Sequence, residues 1–299
     1  MNIREYEFVL RPVLDEARDK NIRVCPVGGF VRDILLNIKT DDFDFVVEGE
    51  TKDIAKEVFI KLKGKNFKYF PKFGTASFEF SGGRVDFARA REEFYPVPGK
   101  HPDIKFIDKI ELDLKRRDFS INAMALEIDD SMNTKIIDLF DGLKDTREKK
   151  IRVLHLGSIS DDPTRILRAI RLKLKLKFEI SKETLESLEI AKENQAFKNV
   201  SGDRYWSEIK IASRENLLYE FIIELDKLSV LFSINPELSL SQKEKEKLAK
   251  IKKIPSGDEK LAEFLTIYFE RSPYTGYEMM KFFKVSKTLE KLVLEKIKS

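Results

Sequence analysis

The chain has one cysteine and two histidines in 299 residues, and that scarcity excludes several chemistries at once. A single thiol builds no disulfide framework, and Cys25, inside the apolar run IRVCPV, reads as a small buried hydrophobe. This usage fits a reducing compartment. His101 and His155 lie far apart, so zinc sites and Ser-His or Cys-His nucleophilic triads lack their parts. Long apolar runs are missing too: nothing approaches the roughly 20 residues that span a bilayer. The start, MNIREYEFVL, carries charges throughout, unlike a signal peptide. Net charge is also small, 56 Lys+Arg against 52 Asp+Glu for +4, so the overall balance implies no polyanionic partner and only local clusters can. The expectation is a soluble, cytoplasmic protein with no membrane partner, whose chemistry runs on carboxylates, arginine and lysine.

Hydrophobic residues make up 42% and charged ones 36%, enough for a sizeable core under a heavily charged surface. In the first half, IRVCPVG (22–28) reads as a buried strand and FVRDILL as a short helix ended by Asn37. DFDFVVE (42–48) alternates with period two, acids on one face and Phe43, Phe45 and Val47 on the other. TKDIAKEVFIKLKG (51–64) reads as an amphipathic helix, with Thr51 as N-cap and Gly64 as stop. TASFEFSGGRVDFARAR (75–91) reads as a hairpin about Gly82-Gly83, and MALEID with TKIIDLF as a further short strand pair. From Asp161 onward strand signals vanish. Helices fit 162–177, 182–193, 201–213 and 215–225 and continue to the end, with breaks at SINPELSLS and IPSGDE. KEKEKLAKIKK (243–253) reads as a solvated helix face or, more sharply, as a contact for an RNA backbone. The expected fold class is α+β: a mixed-sheet domain ending near residue 140–150, then an all-α extension.

Four stretches carry candidate chemistry. VGGFVRD leaves a strand and enters a helix, where backbone N–H groups can approach a phosphate and the helix start favours anions. It has neither GxGxxG nor GK[ST], so dinucleotide and P-loop folds do not apply; a plain tight turn remains an alternative. Arg32 can reach a triphosphate or pair with Asp33. Asp42 and Asp44, two apart on a strand, share one face at about 7 Å. Such carboxylates repel unless a cation lies between them, and after this glycine turn Mg²⁺ can bridge them to a triphosphate. Asp86, in RVDFARAR, is a candidate third carboxylate, whereas Asp41 is out of phase. LKRRDFSINAMAL (114–126) puts three cations and Asp118 ahead of what reads as a small-residue helix; KRR reads as plain surface charge or, more sharply, as Arg117 aimed at a triphosphate or ribose.

DDPTRILRAIRLKLKL (161–176) reads as a helix with an apolar stripe of Ile166, Leu167, Ile170 and Leu174. Arg165 and Arg168 centre the opposite face, with Asp162 and Arg171 at its edges. The plain reading is a basic amphipathic helix with a Pro start; the sharper one is that a carboxylate accepts from an exocyclic amine and an arginine donates to a ring nitrogen, so an Asp162/Arg165 pair suits cytosine or adenine and leaves unpaired groups against uracil or guanine. Selection would then be made by protein, without a template.

In order, GGFVRDILLNIKTDDFD, RRDFSINAMAL, DLFDGLKDTREKKIRVL and DDPTRILRAIRL resemble the class II tRNA nucleotidyltransferases and their bacterial poly(A) polymerase relatives, over roughly residues 22–212. The resemblance implies a nucleotidyltransferase head over 1–150, a helical neck with the base-reading helix over 151–215, and a body and tail that bind tRNA over 216–299. It implies Asp42 and Asp44 as catalytic ligands of two Mg²⁺ ions. Gly29, Arg32, Arg117, Asp162, Arg165, Arg168 and Arg171 would bind the nucleotide. The partners it implies are CTP, ATP and the acceptor arm and 3′ end of tRNA. The family's base-reading motif usually begins Glu-Asp where this chain has Asp161-Asp162, and the loop AREEFYPVPGKHPDIKF (90–106) is Pro-rich. Addition of CCA, of CC alone and of A alone all stay open, as do a poly(A) polymerase and a non-catalytic RNA-binding relative.

Overall fold

The computed structural model describes residues 3–255 and 257–298. The chain divides into two compact units: one runs to Pro96 and resumes at Pro102–Leu154, and the other comprises Val97–His101 and everything from His155 onward. Among the described residues no helix is long and apolar enough to cross a membrane.

The first unit begins with α1 (Glu7–Asp19), β1 (Val24–Pro26), α2 (Gly29–Leu35), β2 (Asp42–Val47) and α3 (Thr51–Lys61). It continues through β3 (Lys65–Phe70), β4 (Thr75–Phe80), β5 (Gly83–Arg89), β6 (Arg91–Phe94) and β7 (Asp103–Phe106), and closes with α4 (Ile110–Asp113), β8 (Met124–Ile128), β9 (Thr134–Asp138) and α5 (Gly142–Glu148). Five strands form a mixed sheet in the order β1-β2-β5-β4-β3, with β2 and β5 parallel and the other neighbours antiparallel. Pro26, which has no N–H to give to a ladder, sits on terminal strand β1, the position where proline is tolerated.

The alternation of β2 divides its side chains as its sequence requires. Phe43, Phe45 and Val47 enter the main core with Phe30, Val85, Phe87, Ala76 and Phe78. A fully buried Phe contributes about 1.5–3 kcal/mol, and the Phe43 ring sits edge-on to Phe30 at 5.1 Å. On the other face Val46 joins a small second cluster with Cys25, Val27, Ile110 and Leu114. Asp42 and Asp44 lie further along that face, toward its open end. The strand is thus apolar on one side throughout, and on the other only where α4 packs.

Several local expectations need correction. Thr51 is the first helical residue of α3, and its hydroxyl donates to Gly74 O, while the Glu50 carboxylate caps by accepting from Thr51 N. The helix stops at a left-handed Lys63 before Gly64. Strand β3 forms where no strand was expected, and the antiparallel pair β6–β7 forms within the Pro-rich loop of 90–106. RRDFSINAMAL opens no helix: Asp118 Oδ1 accepts from Phe119 N and Asn122 Nδ2, holding one 3₁₀ turn over Ser120–Asn122, and the buried Met124–Leu126 then pair as a strand with β9.

The second unit contains α6 (Ser158–Asp161), α7 (Thr164–Leu176), α8 (Lys182–Glu193), α9 (Gly202–Arg214), α10 (Leu218–Lys227) and α11 (Val230–Ile234). Helices α12 (Gln242–Leu248), α13 (Asp258–Arg271), α14 (Pro273–Phe283) and α15 (Lys287–Lys298) complete it. A two-residue strand at Glu179–Ile180 is the exception to a strand-free reading. Helix α7 packs against α9 and α10, and α13 against α14 and α15. Trp206 of α9 stacks on Phe283 of α14 at 5.0 Å. KEKEKLAKIKK breaks into α12 and a 3₁₀ segment, Ala249–Lys253. The break at IPSGDE includes Ser256, which lies outside the described residues.

Candidate active site

In the first unit the glycine turn, the acid strand and the arginine motif meet. Gly28 has φ +68°, a conformation that L side chains rarely adopt, and a Cβ there would lie 3.0 Å from Arg117 Nη1 and 3.8 Å from Asp44 Oδ2. The turn is fixed by Gly28 N donating to Met124 O (3.3 Å) and Arg32 N to Gly28 O (3.1 Å), and Val27 N donates to Asp44 O (3.0 Å). Gly29 opens α2, and a Cβ there would meet the Arg32 guanidinium, Nη2 nearest at 3.3 Å. Gly28→Ala should therefore cost about 1–3 kcal/mol of unfolding free energy in urea, with Gly29→Ala clearly milder. Equal losses would show that the backbone at 28 is not strained.

Arg32 is 6% exposed. Its Nε and Nη2 donate to Asp33 Oδ1 (2.9 and 2.8 Å) and its Nη1 to Asn122 Oδ1 (2.7 Å), so it braces the 3₁₀ turn of RRDFSIN. Arg117 donates through Nη2 to Asp113 Oδ2 at 3.2 Å, and its Nε is buried without a hydrogen-bond partner. An orphaned guanidinium N–H is costly in a closed site and expected in one that receives an anion. Asp113, fully buried, also accepts from Arg116 Nε (2.8 Å) and Arg91 N (3.1 Å). Burial pushes the Asp113 carboxyl up, but Arg116 and Arg117 outweigh it and hold the group below the ordinary carboxylate range.

Asp42 is exposed and Asp44 half-buried on β2. In the parallel pairing with β5, Asp42 lies beside Arg84 and Asp44 beside Asp86. Two hard carboxylate oxygens on one strand face suit a divalent cation such as Mg²⁺. Among the described residues no group of three or more His, Cys, Asp or Glu side chains is placed to hold a metal ion.

In the second unit Asp162 is not helical, contrary to its expected place in a helix over 162–177: it follows α6 in an extended conformation and precedes Pro163. Its Oδ1 receives Thr164 N (3.0 Å), Thr164 Oγ1 (2.7 Å) and the Arg204 guanidinium (2.8 Å). Arg165, expected on the face opposite the apolar stripe, is 6% exposed: Ser158 of α6 covers it and its Oγ accepts from Nη1 at 2.6 Å. Arg168 reaches Glu208 at 3.8 Å, and Arg171 reaches Glu208 (3.1 Å) and Glu215 (3.3 Å). Arg204 Nη1 also donates to Gly99 O (3.0 Å), while Gly99 N donates to Ser160 O (3.0 Å). The tip of the Pro-rich loop is thus fastened to the turn that carries Asp162.

Asp113, Asn122, Arg84 and Arg204 were not marked by the sequence reading. Asp113 stands three and four residues before Arg116 and Arg117, a spacing that pairs side chains over one helical turn. Arg84 and Asp86 stand two apart on a strand, the same rule that marked Asp42 and Asp44. Asn122 and Arg204 had no local signal.

Residues 24–152 match the family model of the poly A polymerase head domain. An A-adding tRNA nucleotidyltransferase of Aquifex aeolicus is 40% identical over 233 residues, 78% of this chain and 28% of that protein. A solved CCA-adding enzyme superposes with TM-score 0.80 at 32% identity, over 97% of this chain and 70% of that one. A tRNA nucleotidyltransferase complexed with a primer tRNA and an incoming ATP analog gives TM-score 0.75 at 33% identity, over 96% and 84%. The chain belongs to the family of tRNA nucleotidyltransferases and poly(A) polymerases. It spans 28% to 52% of the length of the curated relatives it matches.

Proposed function

We propose that this chain catalyses template-independent addition of A, C or both to the 3′ end of tRNA, using ATP or CTP and releasing pyrophosphate. In that reaction the 3′-hydroxyl oxygen bonds to the α-phosphorus of the nucleotide, the bond from that phosphorus to the oxygen bridging to the β-phosphate breaks so that pyrophosphate leaves, and the hydroxyl proton passes to solvent. The observation that carries the reading is the meeting of the Asp42/Asp44 pair, the Gly28 turn and the orphaned Nε of Arg117. Asp42 and Asp44 would hold the two Mg²⁺ ions, which when bound supply Lewis-acid polarisation of the phosphate and a lowered pKa for the attacking hydroxyl. Arg117 binds a triphosphate oxygen through its unpaired Nε. Gly28 and Gly29 keep the backbone close to the phosphates, and Arg32 holds the RRD turn in place. Asp162, with all three of its bonds on Oδ1, offers Oδ2 to an exocyclic amine, and Arg165 donates to the neighbouring ring nitrogen. Arg168 and Arg171 sit beside this pair, tied to α9. The cytosol, where tRNA and both nucleotides are found, is the expected location.

A-adding enzymes among the relatives, at 40% and 36% identity, favour ATP as substrate, with CC-adding and CCA-adding relatives at 34% and 31%. The test offers the purified chain tRNA transcripts ending before the first C, after C and after CC, with Mg²⁺ and each nucleoside triphosphate alone and in pairs. Growth by one to three defined residues is expected. Long A tails would show a poly(A) polymerase instead, and no extension on any transcript would overturn the enzymatic reading.

A further inference from the structure

The face of β2 that carries Asp42 and Asp44 continues across β5, where Arg84 stands beside Asp42 and Asp86 beside Asp44. Strand alternation puts all four side chains on the same side of the sheet. Three carboxylates side by side make a stronger divalent-cation site than two, because each adds oxygen donors and negative charge. Yet Asp86 does not join the pair. Arg84 Nε donates to Asp86 Oδ2 at 2.5 Å and Nη2 to Oδ1 at 2.8 Å. One guanidinium engages both oxygens in a fork, so a cation approaching Asp86 meets a bound positive charge and must compete for lone pairs that Arg84 already shares.

Structural need does not account for the fork. Arg84 is 56% exposed and Asp86 31%, and exposed ion pairs contribute little to stability. The strand is anchored independently, with Phe87 and Val85 in the core and Arg84 N donating to Asp41 O at 2.7 Å. What the fork does control is charge: three carboxylates and one guanidinium leave a formal −2 on this face instead of −3.

We propose that Arg84 masks Asp86, restricting the cation site to the Asp42/Asp44 pair and weakening its hold on divalent ions. A site that bound its cations through three carboxylates would retain them as pyrophosphate departs; two carboxylates bind in concert with the nucleotide phosphates and release with the product. This rests on the assignment of Asp42 and Asp44 as the cation ligands.

The test is Mn²⁺ binding, followed by electron paramagnetic resonance of the free ion, in the absence of nucleotide and RNA. Arg84→Gln should tighten Mn²⁺ binding about tenfold, the effect of removing a unit charge a few ångströms from a divalent ion in a solvent-like dielectric. The gain should shrink as salt is raised. Arg84→Lys retains the charge but cannot form the fork, so masking predicts at least threefold tightening there too. The double variant Arg84→Gln/Asp86→Asn should return to within about threefold of the native chain, since its formal charge is again −2. Circular-dichroism melting checks that each variant is folded. Pair-dependent binding that is unchanged by Arg84→Gln overturns masking alone, as does tightening in Arg84→Gln with native affinity in Arg84→Lys. Mn²⁺ binding that survives Asp42→Asn/Asp44→Asn overturns the ligand assignment itself, and the proposal with it.

Discussion

Replacing Asp44 by alanine is expected to lower nucleotide incorporation roughly a thousandfold while leaving the fold in place. The magnitude follows from its proposed role: losing a ligand that stabilises developing charge removes several kcal/mol, and about 4 kcal/mol corresponds to three orders of magnitude in rate. The fold should survive because the main-chain link at this position, Val27 N donating to Asp44 O at 3.0 Å, is one that any side chain preserves. The neighbour Asp41 supplies the control. Its side chain is exposed and its contribution is the carbonyl that accepts from Arg84 N at 2.7 Å, so Asp41→Ala should stay within about twofold of the native rate. Single-turnover extension of a labelled tRNA primer at saturating ATP reads both rates, and thermal melting checks folding. An Asp44→Ala protein within tenfold of native speed would remove the carboxylate pair from the mechanism.

The division of side chains along β2 was legible in the sequence because strand alternation is a local rule. Period two separates Asp42 and Asp44 from Phe43 and Phe45, and the structure keeps that division, with the two phenylalanines in the core. Local rules fail where a tertiary partner decides. Arg165 lies, by helical period alone, on the face away from Ile166 and Ile170; it is buried because the short helix α6 folds over it and offers Ser158. The periodicity of α7 holds no information about α6. Asn122 and Arg204 are similar: each is defined by a group about ninety or about forty residues away, Arg32 for the first and Asp162 for the second. Strands β6 and β7 were obscured for a different reason. Arg91 and Glu93 are half-buried there by pairing with each other at 2.8 Å, so the strand face they occupy shows no apolar alternation. Buried charge carries much of this unit's architecture, and a hydrophobic pattern cannot reveal it.

The largest expected loss of stability follows from the same feature. Asp113→Asn keeps the shape of a fully buried side chain but removes the charge that faces Arg116 and Arg117. Breaking a buried pair from one side usually costs about 3–5 kcal/mol. Glu93, which accepts from Arg116 Nη1 at 3.1 Å, still offsets part of the uncompensated cation, so a loss near the lower bound, about 3 kcal/mol, is expected. For a unit of this size that lowers the melting temperature by about 10 °C. Acid should expose the mechanism. Burial pushes Asp113 and Glu93 up, but the neighbouring guanidiniums more than compensate, Arg116 and Arg117 for the first and Arg116 and Arg91 for the second, so both carboxyls are held below their ordinary values. The unfolded chain therefore binds these protons more tightly than the folded one. Their stabilisation is complete above about pH 4–4.5, the unfolded carboxyl range, and is lost as the pH falls through the lower folded values. The substituted amide has no proton to take up there, so the gap between native and Asp113→Asn melting temperatures should be constant from pH 7 to pH 5 and narrow steadily below pH 4. A gap that persists unchanged to pH 3 would mean that the Asp113 charge is not what holds the two arginines. A protein that melts normally but needs far more ATP would indicate that Asp113 acts mainly by aiming Arg117.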